Sequence, residues 1–294
     1  MRNLKIITLI AGIALLGSCQ KNEEMDVKQP EPEQQIHAMG ALFVNETTYE
    51  SFEKVDVDAL LLKYKGKNGA SAKVVPSSYF VSGQPAVGNQ GKEGSCVGWA
   101  TAYAAASILE ANFKGITQPR SPEYVYNQIK QGSCDAGSYP KDALNLIKNQ
   151  GVCSLTEMPY NDTECSTQPN ASQKNAASTH KFIKWATVSN SNINDVKNLL
   201  SMNLPVIIGI TVDEEIKNLA NTGWILKKRS GKVLGGHAIC VVGYDDAKQA
   251  FKIQNSWGTS WADNGYFWID YNFFAKNASF GGGVVRETYV AYVQ

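Results

Sequence analysis

An excess of charge of either sign is missing from this chain. Its 294 residues carry 28 Lys and Arg against 27 Asp and Glu, for a formal net charge of +1. The two signs are well mixed, with no basic footprint, so nucleic acid is set aside as a partner. A long apolar run is also missing. The stretch from Ile6 to Gly17 falls short of the roughly 20 residues that a spanning helix needs. Histidine is scarce, with three in the chain, which makes the search for an imidazole base short. No internal repeat is visible.

What is present begins with a basic start (Arg2, Lys5) followed by that short apolar run, the pattern of a secretory signal. Leu16-Gly17-Ser18-Cys19 resembles a bacterial lipobox, which implies a lipoprotein signal peptide over 1–18 and lipidation of Cys19. Acyl chains there would hold the protein at a membrane without a span. Residues 19–40 are polar, acidic and proline-bearing, and are expected to form a disordered tether. The acidic cluster after Cys19 resembles the surface-export signal of Bacteroidetes lipoproteins. The expected location is therefore the bacterial outer membrane, with the cell-surface face preferred to the periplasmic one. Residues 41–72 hold Leu60-Leu61-Leu62 and Tyr64, then run into the glycine-rich break Gly66 to Ser71. They read as an N-terminal extension or a prosegment, expected to pack near the cleft and to limit activity until cleaved or displaced. The globular domain is placed at 73–294.

Within that domain the first half reads as helical. Helices are expected over 96–113, over Ser121 to Lys130 with Ser121 as cap and Pro122 in the first turn, over Lys141 to Gln150 stopped by Gly151, and over Asn194 to Met202. The second half carries short β-branched runs at 205–210, 237–244, 250–255 and 265–271, separated by Asp-Asp and Asp-Asn-Gly turn signals. Helices first and strands second argue for an α+β protein of two lobes.

The stretch NQGKEGSCVGWA, 89–100, places one cysteine at the end of a glycine-rich loop and the start of a helix. The helix dipole and its free N–H groups favour a thiolate there, so Cys96 is a candidate nucleophile. Of the histidines, His37 falls in the tether and His180 reads as a surface residue. His237 follows Gly235-Gly236 and opens an apolar strand, which makes it the candidate base. Asn255 can accept a hydrogen bond from the imidazole and fix its tautomer, and Trp257 can shield that bond from water.

The order Cys96, His237, Asn255 and the strings HAICVVGYDD and FKIQNSWGTSWADNGYFWI resemble the papain-like cysteine peptidases. His237 lies 141 residues after Cys96, within the roughly 130–150 expected. Tyr139-Pro140 and Met158-Pro159-Tyr160 resemble first-lobe landmarks, and Gln90 stands where that family has its oxyanion-hole glutamine. The resemblance implies a papain-like two-lobe fold: a helical N-terminal lobe with Gln90 and Cys96, and a β-barrel-like C-terminal lobe with His237 and Asn255. The active-site cleft lies between them. It implies peptide-bond hydrolysis through a thioester acyl-enzyme, without metal or organic cofactor. Substrate-binding positions carried over are Gly137, Ser138, Gly209, Gly235, Ala238 and Trp257. All but Trp257 are small, which implies a roomy, uncharged second pocket suited to a bulky apolar side chain.

The chain departs from the family pattern in three places. Glu93 stands where a cysteine is common, Val97 replaces the tryptophan after the nucleophile, and Gly236 replaces an acidic residue before the histidine. Of the remaining cysteines, Cys240 reads as buried and free. Among Cys134, Cys153 and Cys165, pairing of Cys153 or of Cys134 with Cys165 is open. No insertion that would block one end of the cleft is visible, which favours an endopeptidase. Its partners would be peptide or protein substrates and, through Cys19, a membrane; a monomer is expected. Two other readings stand beside it, a peptide ligase using the same triad and a catalytically weak surface protein that holds peptides.

Overall fold

The apolar runs of the second half build one sheet. The computed structural model describes residues 38–68, 75–276, 278 and 282–293. The expected signal peptide, Cys19, His37 and the expected tether up to 37 lie outside those residues. The strands are β1 (Ser78–Phe80), β2 (Lys184–Thr187), β3 (Val206–Asp213), β4 (Ile225–Leu226), β5 (Val233–Asp245), β6 (Ala250–Gln254), β7 (Tyr266–Asp270) and β8 (Val285–Tyr292). Their order is β2-β8-β3-β5-β6-β7-β4, with β1 paired to the far end of β5. The sheet stays open rather than closing on itself. All pairings are antiparallel except that of β4 with β7.

β5 is the organising strand. Its middle, Ala238 to Tyr244, is buried throughout, which is why it reads as a continuous apolar run rather than an alternation. Its opening Gly235-Gly236-His237 forms a wall of the cleft. Against it lies a central helix in three parts: Cys96–Gly98, a π-wound stretch Trp99–Ala106, and Ser107–Lys114. Ala100, Ala102, Ala104, Ala105 and Ala106 are all buried, so small side chains let this helix pass through the core close to the sheet. The wider winding beside the cleft fits the tendency of π segments to sit near functional sites.

The other expected helices form within a residue of their predicted bounds, as Pro122–Ile129, Pro140–Asn149 and Ile193–Ser201. Ser121 caps the first of them, its Oγ accepting from Tyr124 N at 3.1 Å. Gly151 follows the second with φ +90°, the left-handed turn that stops it.

The N-terminal segment packs on the same body. Asn45 caps the helix Glu46–Glu50, from which Tyr49 reaches Tyr289 of β8 edge-on and accepts from Thr288 N at 2.8 Å. Val55 N donates to Thr187 O, and Thr187 N to Glu53 O, each at 2.8 Å. Residues 53–55 thereby cover the exposed edge of β2. Residues 38–40, within the expected tether, are fixed through backbone groups: Gln90 Nε2 donates to Ala38 O and Ser138 N to Gly40 O.

Candidate active site

Cys96 sits in the first turn of the central helix and is fully buried. Ser95 occupies the cap position, but its hydroxyl bonds the Tyr160 hydroxyl at 2.6 Å and does not cap the helix. The helix N–H groups beside the thiol are therefore left for other acceptors. Ala238 N, the next backbone donor after His237, reaches Cys96 Sγ at 3.4 Å. This contact joins the two lobes at the thiol.

His237 is 1% exposed. Its Nε2 lies 2.8 Å from Asn255 Oδ1, which also accepts from Ser256 N at 2.8 Å. The backbone donor fixes Oδ1 as the oxygen, so the imidazole must carry a proton on Nε2. Exchange of a second proton is then left to Nδ1. Trp257 stacks on the ring, with centroids 4.7 Å apart and planes at 29°, and Trp261 backs it edge-on. The His–Asn bond is thus shut off from water, which strengthens it.

Gln90 is fully buried and its carboxamide is held at both ends. Oε1 accepts from Ser256 Oγ at 2.7 Å, while Nε2 donates to Glu93 O and to Ala38 O, both at 2.9 Å. The Tyr160 hydroxyl bonds Gln90 O at 2.7 Å. Ser256 and Tyr160 position this amide, a role the sequence reading did not assign. For Ser256 the available signal was its place beside Asn255.

The cleft is occupied by the protein's own chain. The Ala38 carbonyl takes the Gln90 amide, and the Gly40 backbone N–H bonds the Cys96 thiol. Ser138 N donates to Gly40 O at 2.8 Å, Leu42 N to Ser138 O at 3.0 Å, and Ala41 N to Gly236 O at 3.0 Å. Ala41 and Ser138 pair in parallel. The small positions are small because this segment presses on them. A Cβ on Gly137 would meet Gly40 O at 2.4 Å, one on Gly235 the Met39 side chain at 2.6 Å, and one on Gly209 the Phe43 ring at 2.5 Å. Every site residue expected from the sequence within 38–293 thus converges on one cleft.

The second pocket differs from its expectation. Phe43 lies against Gly209 and Gly236 as a bulky apolar group should, but its surroundings are charged. The β3–β8 register pairs Gly209 with Glu287 and Ile210 with Val285, so Arg286 is an extra, bulged residue. Its guanidinium lies 5.7 Å from the Phe43 ring centroid. Glu287 is buried, accepting from Val44 N at 2.8 Å and Tyr289 Oη at 2.9 Å, and burial pushes its carboxyl above the usual range. Both escaped the sequence reading because β8 lies far downstream and only sheet pairing brings it here.

Burial pushes the Cys96 thiol up to about 11, against backbone hydrogen bonds from Ala238 and Gly40 that oppose the shift. With the cleft filled, desolvation outweighs the helix end, so the expected thiolate is not the form favoured here. Cys134 pairs with Cys165, and Cys153 and Cys240 are buried free thiols. His180, expected as a surface residue, is half-buried: its Nδ1 lies 2.8 Å from Glu110 Oε1, and the Arg120 guanidinium lies 3.1 Å from Oε2 of the same carboxylate.

The sequence pattern of the papain family cysteine proteases matches residues 82–280. An uncharacterized peptidase C1-like protein of Acanthamoeba polyphaga mimivirus is 28% identical over 214 residues, covering 68% of this chain and 69% of that one. Cathepsin K of Mus musculus is 27% identical over 186 residues, 61% of this chain and 54% of that one. A cysteine proteinase of Theileria annulata is matched over 37% of its length, so the chain spans well under two thirds of some relatives. Among solved structures, xylellain, a cysteine protease from Xylella fastidiosa, superposes with a TM-score of 0.69 at 21% identity, over 87% of this chain and 96% of that one. Procathepsin B from Trypanosoma congolense gives 0.65 at 17% identity, over 87% and 86%. With the match running through the thiol loop, the imidazole strand and the asparagine turn, the chain belongs to the papain family of cysteine-type peptidases.

Proposed function

We propose that this chain is a latent, lipid-anchored extracytoplasmic endopeptidase whose own residues 38–44 fill the cleft until they are displaced. One observation carries the latency: Ala38 O is held by Gln90 Nε2 while Gly40 N–H bonds the Cys96 thiol. The group that should receive a substrate oxygen is already bound to a carbonyl of the same chain.

Once the segment leaves, Cys96 loses its cover and passes its proton to His237 Nδ1. Its sulfur attacks the scissile carbonyl, and the oxygen that gains charge is received by Gln90 Nε2 and the Cys96 backbone N–H. The imidazolium, held by Asn255, protonates the leaving amine, and water then releases the acyl group from sulfur. The charged wall at Arg286 and Glu287 leads the second pocket to accept aromatic side chains with a polar tip as well as purely apolar ones. The lipobox-like Leu16 to Cys19 supports anchoring at Cys19 on a bacterial outer membrane, facing the cell surface, with the enzyme acting as a monomer.

The test is turnover of a pool of unstructured peptides under reducing conditions, with wild type beside Cys96→Ala. Turnover that ends with Cys96→Ala, with cuts inside the peptides and products carrying one added water, supports an endopeptidase. Turnover that survives the substitution overturns the assignment, and joined products would mark a ligase instead. For the anchor, Cys19→Ala should abolish partition into a detergent phase and lipid labelling. Unchanged partition would remove it.

A further inference from the structure

Beside the active-site loop lies a group of side chains that the peptidase chemistry does not use. Glu93, three residues before Cys96, is 1% exposed, and neither of its carboxylate oxygens has a hydrogen-bond partner. Among the described residues it forms no ion pair. The Tyr160 hydroxyl lies close enough to act on the carboxyl, but it is shared with Gln90 O and Ser95 Oγ. The charges acting most strongly on Glu93 are Glu123, Asp162 and Glu164, all acidic. A buried carboxylate with only the shared Tyr160 hydroxyl beside it, in an acidic surround, is costly unless a cation joins it. Its oxygen and the sulfurs of Cys134 and Cys165 lie within 4.8 Å of one another. Cys134 is half-buried and so within reach of a small reductant.

We propose that reduction of the Cys134–Cys165 bond converts this group into a zinc site, with Glu93 and the two thiolates as protein ligands. The steps balance. A dithiol breaks the S–S bond, gives two electrons and two protons to form two thiols, and closes to its own disulfide. Zn²⁺ then displaces the two thiol protons to solvent and forms two Zn–S bonds and one bond to a Glu93 oxygen. Water takes the fourth, open position. Two sulfurs and one oxygen suit zinc or its spectroscopic substitute cobalt. Loss of the two thiol protons on binding lets both sulfurs and the Glu93 carboxylate meet the ion as anions, a donor set that a lysine could not draw together. Oxidised, the same three residues hold no such donor set, because the sulfurs are spent on one another. The site is therefore gated by thiol redox state and stands independently of the peptidase reading.

The test uses the full chain carrying Cys19→Ser and Cys96→Ala, which removes two competing thiols. It is reduced with a phosphine, freed of reductant and titrated with Co²⁺ under anaerobic conditions. One equivalent should bind with a thiolate-to-cobalt charge-transfer band of tetrahedral character, and the oxidised protein should show none. Glu93→Gln in the same background should weaken Co²⁺ at least about tenfold. Because a Cys134 variant could fail to fold, zinc X-ray absorption on the reduced parent serves as the second measurement. It should report two sulfurs and lighter ligands. Equal binding by oxidised and reduced protein, an unmoved affinity in Glu93→Gln, or a shell with fewer than two sulfurs would each overturn the proposal.

Discussion

At the scale of single residues, the catalytic amide is the most tightly specified group in the cleft. Gln90 is gripped through Oε1 by Ser256 Oγ and through its own carbonyl by Tyr160, so its N–H is aimed before any substrate arrives. Preorganised donors of this kind are worth about 2.7–4 kcal/mol each in the transition state. In enzyme freed of residues 38–44, Gln90→Ala should lower kcat about 10²–10³-fold with KM little changed. Ser256→Ala, which frees the amide without removing it, should cost about tenfold, and Ser256→Thr should recover most of that loss. Steady-state kinetics on one fluorogenic peptide measures all three. The thiol supplies a second residue-level expectation. Below a pKa of about 11 each unit of pH removes about nine tenths of the thiolate, so alkylation of Cys96 in the covered protein should keep rising up to about pH 11. Displacing the segment should move that midpoint towards neutrality and speed alkylation at pH 7 by well over tenfold. An identical pH profile in covered and uncovered protein would contradict the role given to burial.

At the scale of elements, the segment 38–44 is held by its backbone, and that decides which substitutions release it. A Cβ at Gly40 would lie 1.8 Å from Gly94 O, a backbone atom that cannot step aside cheaply. Gly40→Ala should therefore lift the segment from the thiol and raise basal peptidase activity about tenfold or more, without changing the pocket. Activity equal to wild type would show that the cleft tolerates the methyl group. The same backbone dependence explains what was legible in the sequence. Cys96, His237 and Asn255 stood out because their chemistry demands particular residue types, and β5 and the Ser121 cap because apolar runs and caps are local signals. Ala38 to Gly40 read as tether, since the residue types carry no sign of the bonds their peptide groups will make. Arg286 and Glu287 were hidden for another reason: only the β3–β8 register carries them to the pocket. The short strands β1 and β4 and the π winding at Trp99–Ala106 have no distinctive composition, so tertiary packing alone decides them.

At the scale of the whole molecule, two devices tie the helical half together. Glu110, 2% exposed at its side chain, gathers Arg120, His180 and Lys114. Burial alone would raise its carboxyl, but the His180 hydrogen bond and the Arg120 charge outweigh it and hold it below the usual range. A lowered carboxyl contributes stability that is present above its unfolded pKa and is lost as pH falls through the folded one. Wild type should accordingly lose stability in acid over that window, and Glu110→Gln should flatten the dependence. The same change should cost about 3–5 kcal/mol at neutral pH, because it leaves Arg120 buried without its partner. Urea titrations from strongly acid pH up to neutrality, crossing the usual glutamate value of about 4.3, compare the two. The second device is the Cys134–Cys165 bond, which closes a loop of 31 residues. Replacing both cysteines with serine should cost about 4 kcal/mol, read as a lower urea midpoint with a steeper slope, because the uncrosslinked denatured chain exposes more surface.

The covering segment and the cleft belong to one covalent chain, docked again at Tyr49 and at residues 53–55. Its effective concentration at the thiol is therefore fixed by the tether, in the millimolar range for a short connection, whatever the concentration of the protein. A single cut near Asn45 would leave seven described residues, 38–44, disconnected from those docking points. Competition inside one molecule would become competition between two, and latency would vanish on dilution. An uncut molecule would stay silent at any dilution.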